Sequence, residues 1–175
     1  MKELRDGTIL LYRAGKGLIG KAITYFTGMP YAHVAGCLGE HTLESTIWWS
    51  EIWWKSGIRI TLGTQQADEY WQPVKELTPN QVTAMWRYFI NSINKRRPYN
   101  VAKFLVLALV YPTRRFWQKI GWVPFSADFH GDVCSVVWDE AYRAAGIDLF
   151  PHRSEEYTAP GDFRKSKLLE QIGGG

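Results

Sequence analysis

Cys134 is the residue with the clearest chemical potential, because the sequence places it at the start of a predicted helix. Residues 133–145 carry a helical pattern, with Asp132 as the predicted N-cap and Gly146 after the last turn. The unpaired N–H groups and the dipole at a helix N-terminus favour the thiolate, which is the nucleophilic form of cysteine. Cys134 is therefore a candidate for covalent catalysis, and the alternative is a small buried structural residue.

His33 is the leading candidate for the base that a cysteine nucleophile requires. Residues 31–38 are predicted to form a strand that pairs with residues 41–47 across a two-residue turn. In that register Glu44 is a diagonal neighbour of His33 on the same face of the hairpin. A carboxylate at this position would orient the imidazole as the third member of a catalytic triad does, so the predicted catalytic set is Cys134, His33 and Glu44.

Two further residues compete for these roles. Cys37 shares the predicted face of Tyr31 and His33, but it lies about 13 Å along the strand from His33, too far for proton transfer. It is therefore predicted to be structural, although a disulfide with Cys134 stays open. His130 precedes Cys134 by four residues and remains an alternative base.

The remaining motifs indicate no bound cofactor. His41 and His152 are expected to be solvent-exposed, and His33, Cys37 and His41 lack the further ligand that a metal site would need. The sequence contains no phosphate-binding loop, dinucleotide fingerprint or serine elbow. We therefore predict no metal and no cofactor.

The elements that must position these groups predict an α+β protein with an antiparallel sheet. The helix at 79 opens with a capping box formed by Thr78 and Gln81. We expect residues 1–172 to form a single domain and residues 173–175 to be a flexible tail. The predicted strands are 8–12, 31–38, 41–47 and 57–62, and the predicted helices are 17–26, 79–93, 100–109 and 133–145.

Charge and aromatic content point to an anionic partner. Residues 77–127 contain eight basic and no acidic side chains, and residues 48–54 contain four of the nine tryptophans. The tryptophan-rich segment follows the Glu44 strand directly, so Trp48 and Trp49 are predicted to bind substrate at the rim of the site, with core packing as the alternative. The expected partner is an anionic polymer or lipid surface. Nucleic acid is not expected, because no binding motif accompanies the charge.

Short motifs distributed along the chain resemble a known family. In order and spacing they are similar to the circularly permuted NlpC-like cysteine hydrolases, the YiiX-like branch of the papain-like superfamily, in which the histidine strand precedes the cysteine helix. Two positions depart from the family pattern: Ala32 stands where serine is common, and Val136 stands where glutamate is common. The motifs lie at residues 6–13, 30–35, 38–39, 43–45, 56–60, 97–100, 133–135 and 159–163.

The resemblance implies a permuted papain-like fold, an antiparallel sheet or barrel with the nucleophile at a helix N-terminus. It makes Cys134 the nucleophile, His33 the base and Glu44 the orienting residue, with Tyr31 binding substrate near the oxyanion. The implied activity is that of a cysteine peptidase or amidase acting on peptidoglycan stem peptides of the bacterial cell wall. The alternatives are a lipid or protein acyl hydrolase or acyltransferase, and a non-catalytic module of a phage tail or secretion apparatus.

The sequence carries no recognisable targeting or membrane segment. Its longest apolar run is eight residues, 104–111, whereas a membrane-spanning helix needs roughly 20. No signal peptide is recognised in the first 20 residues. We therefore expect a protein that is cytoplasmic, or that is delivered by a phage particle, a holin or a specialised secretion system.

Overall fold

The computed structural model describes residues 4–15, 18–46, 57–96, 133–151 and 158–174. These residues form an α+β fold. The strands are β1 (Ile9–Arg13), β2 (Tyr31–Leu38), β3 (His41–Thr46), β4 (Gly57–Leu62), β5 (Glu69–Pro73) and β6 (Leu169–Gly174). The helices are α1 (Leu18–Thr27), α2 (Pro79–Asn94), α3 (Cys134–Ala144) and a 3₁₀ helix (Pro160–Lys165). The six strands build one antiparallel sheet in the order β4-β3-β2-β1-β5-β6.

One face of the sheet carries the main hydrophobic core. Side chains alternate along a strand, so Leu11 and Val34 pack with residues of α2 and α3, whereas Leu10, Ala35 and Cys37 belong to a smaller cluster. The two clusters therefore mark the two faces of the sheet. Helix α3, which begins at the candidate nucleophile, packs on the same face as Val34.

A close approach between β2 and α3 fixes the distance between the histidine strand and the cysteine helix. Trp138 of α3 is fully buried, and its indole Nε1 donates a 3.1 Å hydrogen bond to the carbonyl of Leu43. The indole lies directly on Gly36, where a Cβ atom would be only 2.5 Å from Trp138 Cζ2. Glycine at position 36 is thus required for α3 to pack this closely on the sheet.

Most of the predicted elements that fall on described residues are confirmed. Strand β2 and strand β4 have the predicted bounds, and the capping box of Thr78 and Gln81 opens α2 as expected. Strands β5 and β6 and the 3₁₀ helix were not predicted. The predicted helix at 100–109 lies outside the described residues. In the part of the chain that the structure describes, no helix has the length and apolarity needed to cross a bilayer.

The C-terminal residues correct one expectation. Gly173 and Gly174 are the last residues of β6 and pair with Tyr70 and Glu69 of β5, so the prediction of a flexible tail is wrong for them. The backbone edge of β5 supplies the pairing partners, and such backbone hydrogen bonds do not depend on side-chain pattern. Gly175 lies outside the described residues.

The contact between Gly36 and Trp138 generates a stability prediction. Gly36→Ala should lower the free energy of unfolding by about 1–3 kcal/mol, because the added methyl group overlaps a buried indole that cannot move. Gly15→Ala is the matched control: a Cβ atom there meets nothing within 4 Å, and we expect a change below about 0.5 kcal/mol. Urea unfolding of both variants measures the difference, and equal stabilities would contradict the packing described here.

Candidate active site

The hairpin of β2 and β3 brings His33 and Glu44 together. Its register pairs Leu38 with His41 and Ala35 with Glu44, which confirms the predicted two-residue turn. This register places Glu44 diagonally across from His33. His33 Nε2 and Glu44 Oε2 are hydrogen-bonded at 2.8 Å. The Glu44 side chain is 10% exposed and that of His33 is 27% exposed, so the pair is largely shielded from water.

Cys134 meets this pair from the opposite side of the imidazole. It is the first residue of α3, and the His33 imidazole lies near enough to its thiol to favour the thiolate. Because Nε2 of His33 faces Glu44, the ring nitrogen left for the sulfur is Nδ1. Val133, whose side chain cannot hydrogen-bond, is the N-cap of α3. The prediction of Asp132 as N-cap is therefore wrong, and Asp132 itself lies outside the described residues.

The electrostatics of the three groups favour a thiolate–imidazolium pair. Burial disfavours the charged imidazole, but hydrogen bonding and charge from Cys134 and Glu44 outweigh it and raise the pKa of His33 to about 10. Burial likewise opposes the thiolate, yet His33 and the backbone N–H groups of Val34 and Ser135 lower the pKa of Cys134. The pKa of Glu44 is also lowered, against its burial, chiefly by His33.

Three side chains that the sequence did not identify surround the Glu44 carboxylate and the imidazole. Arg59 lies opposite Glu44 in the β3–β4 register, with Nη1 4.0 Å from Glu44 Oε1. Gln65 hydrogen-bonds to Glu44, and the Tyr12 ring lies 5.6 Å from the His33 ring. These contacts hold Glu44 as a carboxylate and restrict the plane of the imidazole. Arg59 lies in the predicted strand 57–62, so its strand was known from the sequence. Its position opposite Glu44 could not be predicted, because the long connection after β3 does not set the register between β3 and β4.

The sequence predicted that Tyr31 and His33 lie on the same face of β2, and this prediction is wrong. The β1–β2 register runs from Tyr12↔His33 to Arg13↔Tyr31, so Ala32 is an extra residue that forms a bulge. The bulge turns Tyr31 into the main core together with Val34. There its hydroxyl donates a hydrogen bond to Glu69, and burial followed by Glu69 raises the pKa of Tyr31.

A buried polar network holds the beginning of α3 in place. Ser135, next to the candidate nucleophile, donates a hydrogen bond to the carbonyl of Thr158, whose hydroxyl donates to Asp139 Oδ2 at 2.6 Å. Asp162, fully buried, accepts a 3.0 Å hydrogen bond from the backbone N–H of Ala159. The segment beginning at Thr158 therefore acts as a clamp on the first two turns of α3.

The other candidate residues have different positions. Cys37 is buried and, like Cys134, is a free cysteine, so the disulfide left open by the sequence is not formed. Cys37 contacts neither member of the His33–Glu44 pair in any recorded hydrogen bond, and burial raises the pKa of its thiol. His41 packs edge-on against Trp86 at 5.6 Å. Four predicted candidates lie outside the described residues: Trp48, Trp49, His130 and His152.

The fold and this constellation define an α+β protein in which a helix begins at a cysteine beside a strand histidine. Among solved structures, the chain is similar to one described as the metalloprotein yiiX from Escherichia coli O157:H7, with a TM-score of 0.63 and 12% identity over 98% of each chain. At this identity the likeness shows a common fold. No protein-family model matches the sequence. No curated protein matches it either.

Because that neighbour is described as a metalloprotein, we tested whether the described side chains fit a metal ion. Among the described residues, no group of three His, Cys, Asp or Glu side chains is placed to hold one. The candidate set itself is a chain rather than a cluster: His33 lies between Cys134 and Glu44, and each ring nitrogen faces one of them. The described residues therefore do not fit a metal ion.

The thiolate–imidazolium pair predicts how the reactivity of Cys134 depends on pH. Iodoacetamide labelling, located by mass spectrometry, should follow a titration with a midpoint below the ~8.5 of a free thiol. Glu44→Gln removes the charge that raises the His33 pKa, so the imidazolium loses its proton more readily and the midpoint should move up by about one pH unit. His33→Ala should move it further.

Glu40→Gln supplies the matched control for this titration, because Glu40 is an exposed carboxylate in the adjacent turn. It should leave the midpoint unchanged. An ordinary thiol midpoint in the wild-type protein, or equal midpoints for Glu44→Gln and the wild type, would contradict the assigned electrostatics.

Proposed function

We propose that the protein is a cysteine hydrolase that cleaves an amide bond through an acyl-thioenzyme. The Cys134 thiolate attacks the carbonyl carbon, and unpaired N–H groups in the first turn of α3 receive the oxyanion. The His33 imidazolium gives its proton to the leaving amine as the carbon–nitrogen bond breaks. His33 then takes a proton from water, which attacks the thioester and releases the acid and the free thiolate.

The observation that carries this proposal is the order Cys134–His33–Glu44, in which His33 is hydrogen-bonded to Glu44 and favours the thiolate of Cys134. Cys37 shows the behaviour of a structural cysteine, because burial outweighs the influence of its threonine neighbours and raises the pKa of its thiol. At Cys134 the opposite holds, because an equally buried thiol has a lowered pKa through its imidazole partner. Maintaining two opposite charges in a site where Cys134 is only 1% exposed costs stability, and covalent catalysis gives a reason for that cost.

For the substrate, we propose a peptide amide of the bacterial cell wall, the peptidoglycan stem peptide. This part of the proposal rests on the sequence resemblance and on the basic segment 77–127. An ester or amide of a lipid or protein acyl group is the competing substrate class, because the same acyl-enzyme chemistry would serve it. A panel of muropeptides and acyl esters separates the two.

The proposal predicts that hydrolysis of any active panel substrate depends on Cys134 and His33. Cys134→Ala and His33→Ala should each reduce turnover by about 10³-fold or more, since removing one member of such a unit disables it. Intact-protein mass spectrometry of the wild type should show an added acyl mass on Cys134. Cys37→Ala is the matched control and should retain activity, because Cys37 is a buried cysteine of the other cluster.

Two results would contradict the proposal. One is hydrolysis that survives in Cys134→Ala at the wild-type rate. The other is a folded wild-type protein in which Cys134 reacts with iodoacetamide no faster than Cys37, which would favour the reading of the chain as a non-catalytic binding or structural module.

A further inference from the structure

A second charged constellation lies around Arg164 in the 3₁₀ helix. Its guanidinium carbon is 5.3 Å from the centroid of the Tyr31 ring and 6.0 Å from that of the Trp71 ring. Its Nε is 3.2 Å from Glu69 Oε2. The guanidinium is therefore held by two aromatic rings and one carboxylate, which restricts its orientation.

Glu69 is the buried anchor of this arrangement. Its side chain is 5% exposed and accepts hydrogen bonds from the Tyr31 hydroxyl and, at 2.8 Å, from Trp71 Nε1. Since the carboxylate is shared among three donors, it fixes Arg164 without enclosing it. The Arg164 side chain remains 44% exposed, and its terminal Nη groups make no hydrogen bond to a described residue.

A second arginine lies beside the first. Arg13 is exposed and pairs in register with Tyr31, and its side chain is near enough to the Tyr31 hydroxyl to act on the pKa of that group. The Asp68 carboxylate accepts a 2.7 Å hydrogen bond from the backbone N–H of Arg13, which fixes the backbone at this position. Two guanidinium groups thus lie near one tyrosine, where β1 ends and β2 begins.

This arginine pair is close to the candidate catalytic residues. Tyr31 precedes His33 by two residues on β2, so their backbones are no more than about 7 Å apart, although the bulge directs the two side chains to opposite faces. Tyr31 and Cys134 also belong to the same buried cluster on the helix-covered face of the sheet. The segment that carries Arg164 begins at Thr158, whose carbonyl accepts the hydrogen bond of Ser135 beside Cys134. On this basis we place a group bound at the exposed edge of Arg164 on the Cys134 side of the sheet.

We propose that Arg164, assisted by Arg13, forms an anion-binding subsite that recognises a carboxylate or phosphate group on the substrate. An arginine with its Nε side anchored presents its two Nη groups in a planar fork, which matches the two oxygens of a carboxylate or phosphate. The subsite rests on the proposed function, because it assigns the substrate a charged group beyond the scissile bond. It makes the preferred substrate anionic and leaves neutral acyl compounds as poor ones.

The test measures anion binding and its effect on Cys134 separately. Glutarate supplies carboxylates and inorganic phosphate supplies the other candidate group, each compared with sodium chloride at equal ionic strength. Binding is measured from the rise in Tm with ligand concentration. The second readout is protection of Cys134 from iodoacetamide, with the label located by mass spectrometry.

Arg164→Gln and Arg164→Lys distinguish a lost subsite from a lost fold. Lysine keeps a positive charge beside the buried Glu69, so it preserves the compensation of that carboxylate while removing the planar fork. We expect at least one anion to bind and to protect Cys134 in the wild type. Both variants should weaken that binding, Arg164→Gln by about tenfold. Arg5→Gln removes an exposed arginine that lies outside the basic segment 77–127, and it should change neither readout.

The outcomes separate this proposal from the proposed function. Stronger binding of glutarate assigns a carboxylate-bearing substrate, and stronger binding of phosphate assigns a phosphorylated one. Binding of neither anion, equal binding in Arg164→Gln, or binding that leaves Cys134 unprotected would each overturn the subsite. Anion binding that requires Arg164 in a protein whose Cys134 does not react would contradict the hydrolase and support Arg164 as an anion site alone.

Discussion

The imidazole of His33, bonded on one side to Cys134 and on the other to Glu44, is the interaction on which the site depends. Burial alone would keep all three groups neutral, as the direction of the burial contribution at each of them shows. Their charged forms are favoured only because each group has a partner of opposite charge beside it. Removing one partner from such a chain leaves a buried charge uncompensated, which costs more than the pair itself contributes. The geometry of the fold around His33 is therefore tightly constrained.

Two independent contacts meet this constraint by fixing α3 against the sheet. Ser135 is hydrogen-bonded to the Thr158 carbonyl at the start of the helix, and Trp138 packs on Gly36 about one turn later. A helix held at both points can neither slide along β2 nor rotate about its axis, so the backbone of Cys134 is fixed relative to the strand that carries His33. Precision of this kind, set by packed helices and strands, is what a nucleophile–base pair requires.

The sequence was sufficient for the part of the site that depends on local geometry. A two-residue turn fixes the register of β2 and β3, so the approach of His33 to Glu44 followed from turn length alone. Arg59 could not be placed in this way, because the connection from β3 to β4 is long and a long connection does not set register. The alternation of side chains in the sequence did not predict the bulge at Ala32. One inserted residue reverses the direction of every side chain before it, and this places Tyr31 on the other face.

The two buried glutamates, Glu44 and Glu69, have different positively charged partners. This difference distinguishes the candidate catalytic site from the proposed anion-binding subsite in its response to pH. Glu44 faces an imidazole, whose charge is lost as the pH rises through its pKa, so the thiolate–imidazolium pair is confined to a range of pH. Glu69 faces the guanidinium of Arg164, a type of group that is not deprotonated in proteins. The charge of Arg164 is therefore constant while the charge state of the Cys134–His33 pair varies. A substrate anchored through its anionic group would stay bound across that range, and pH would act on the chemical step rather than on binding.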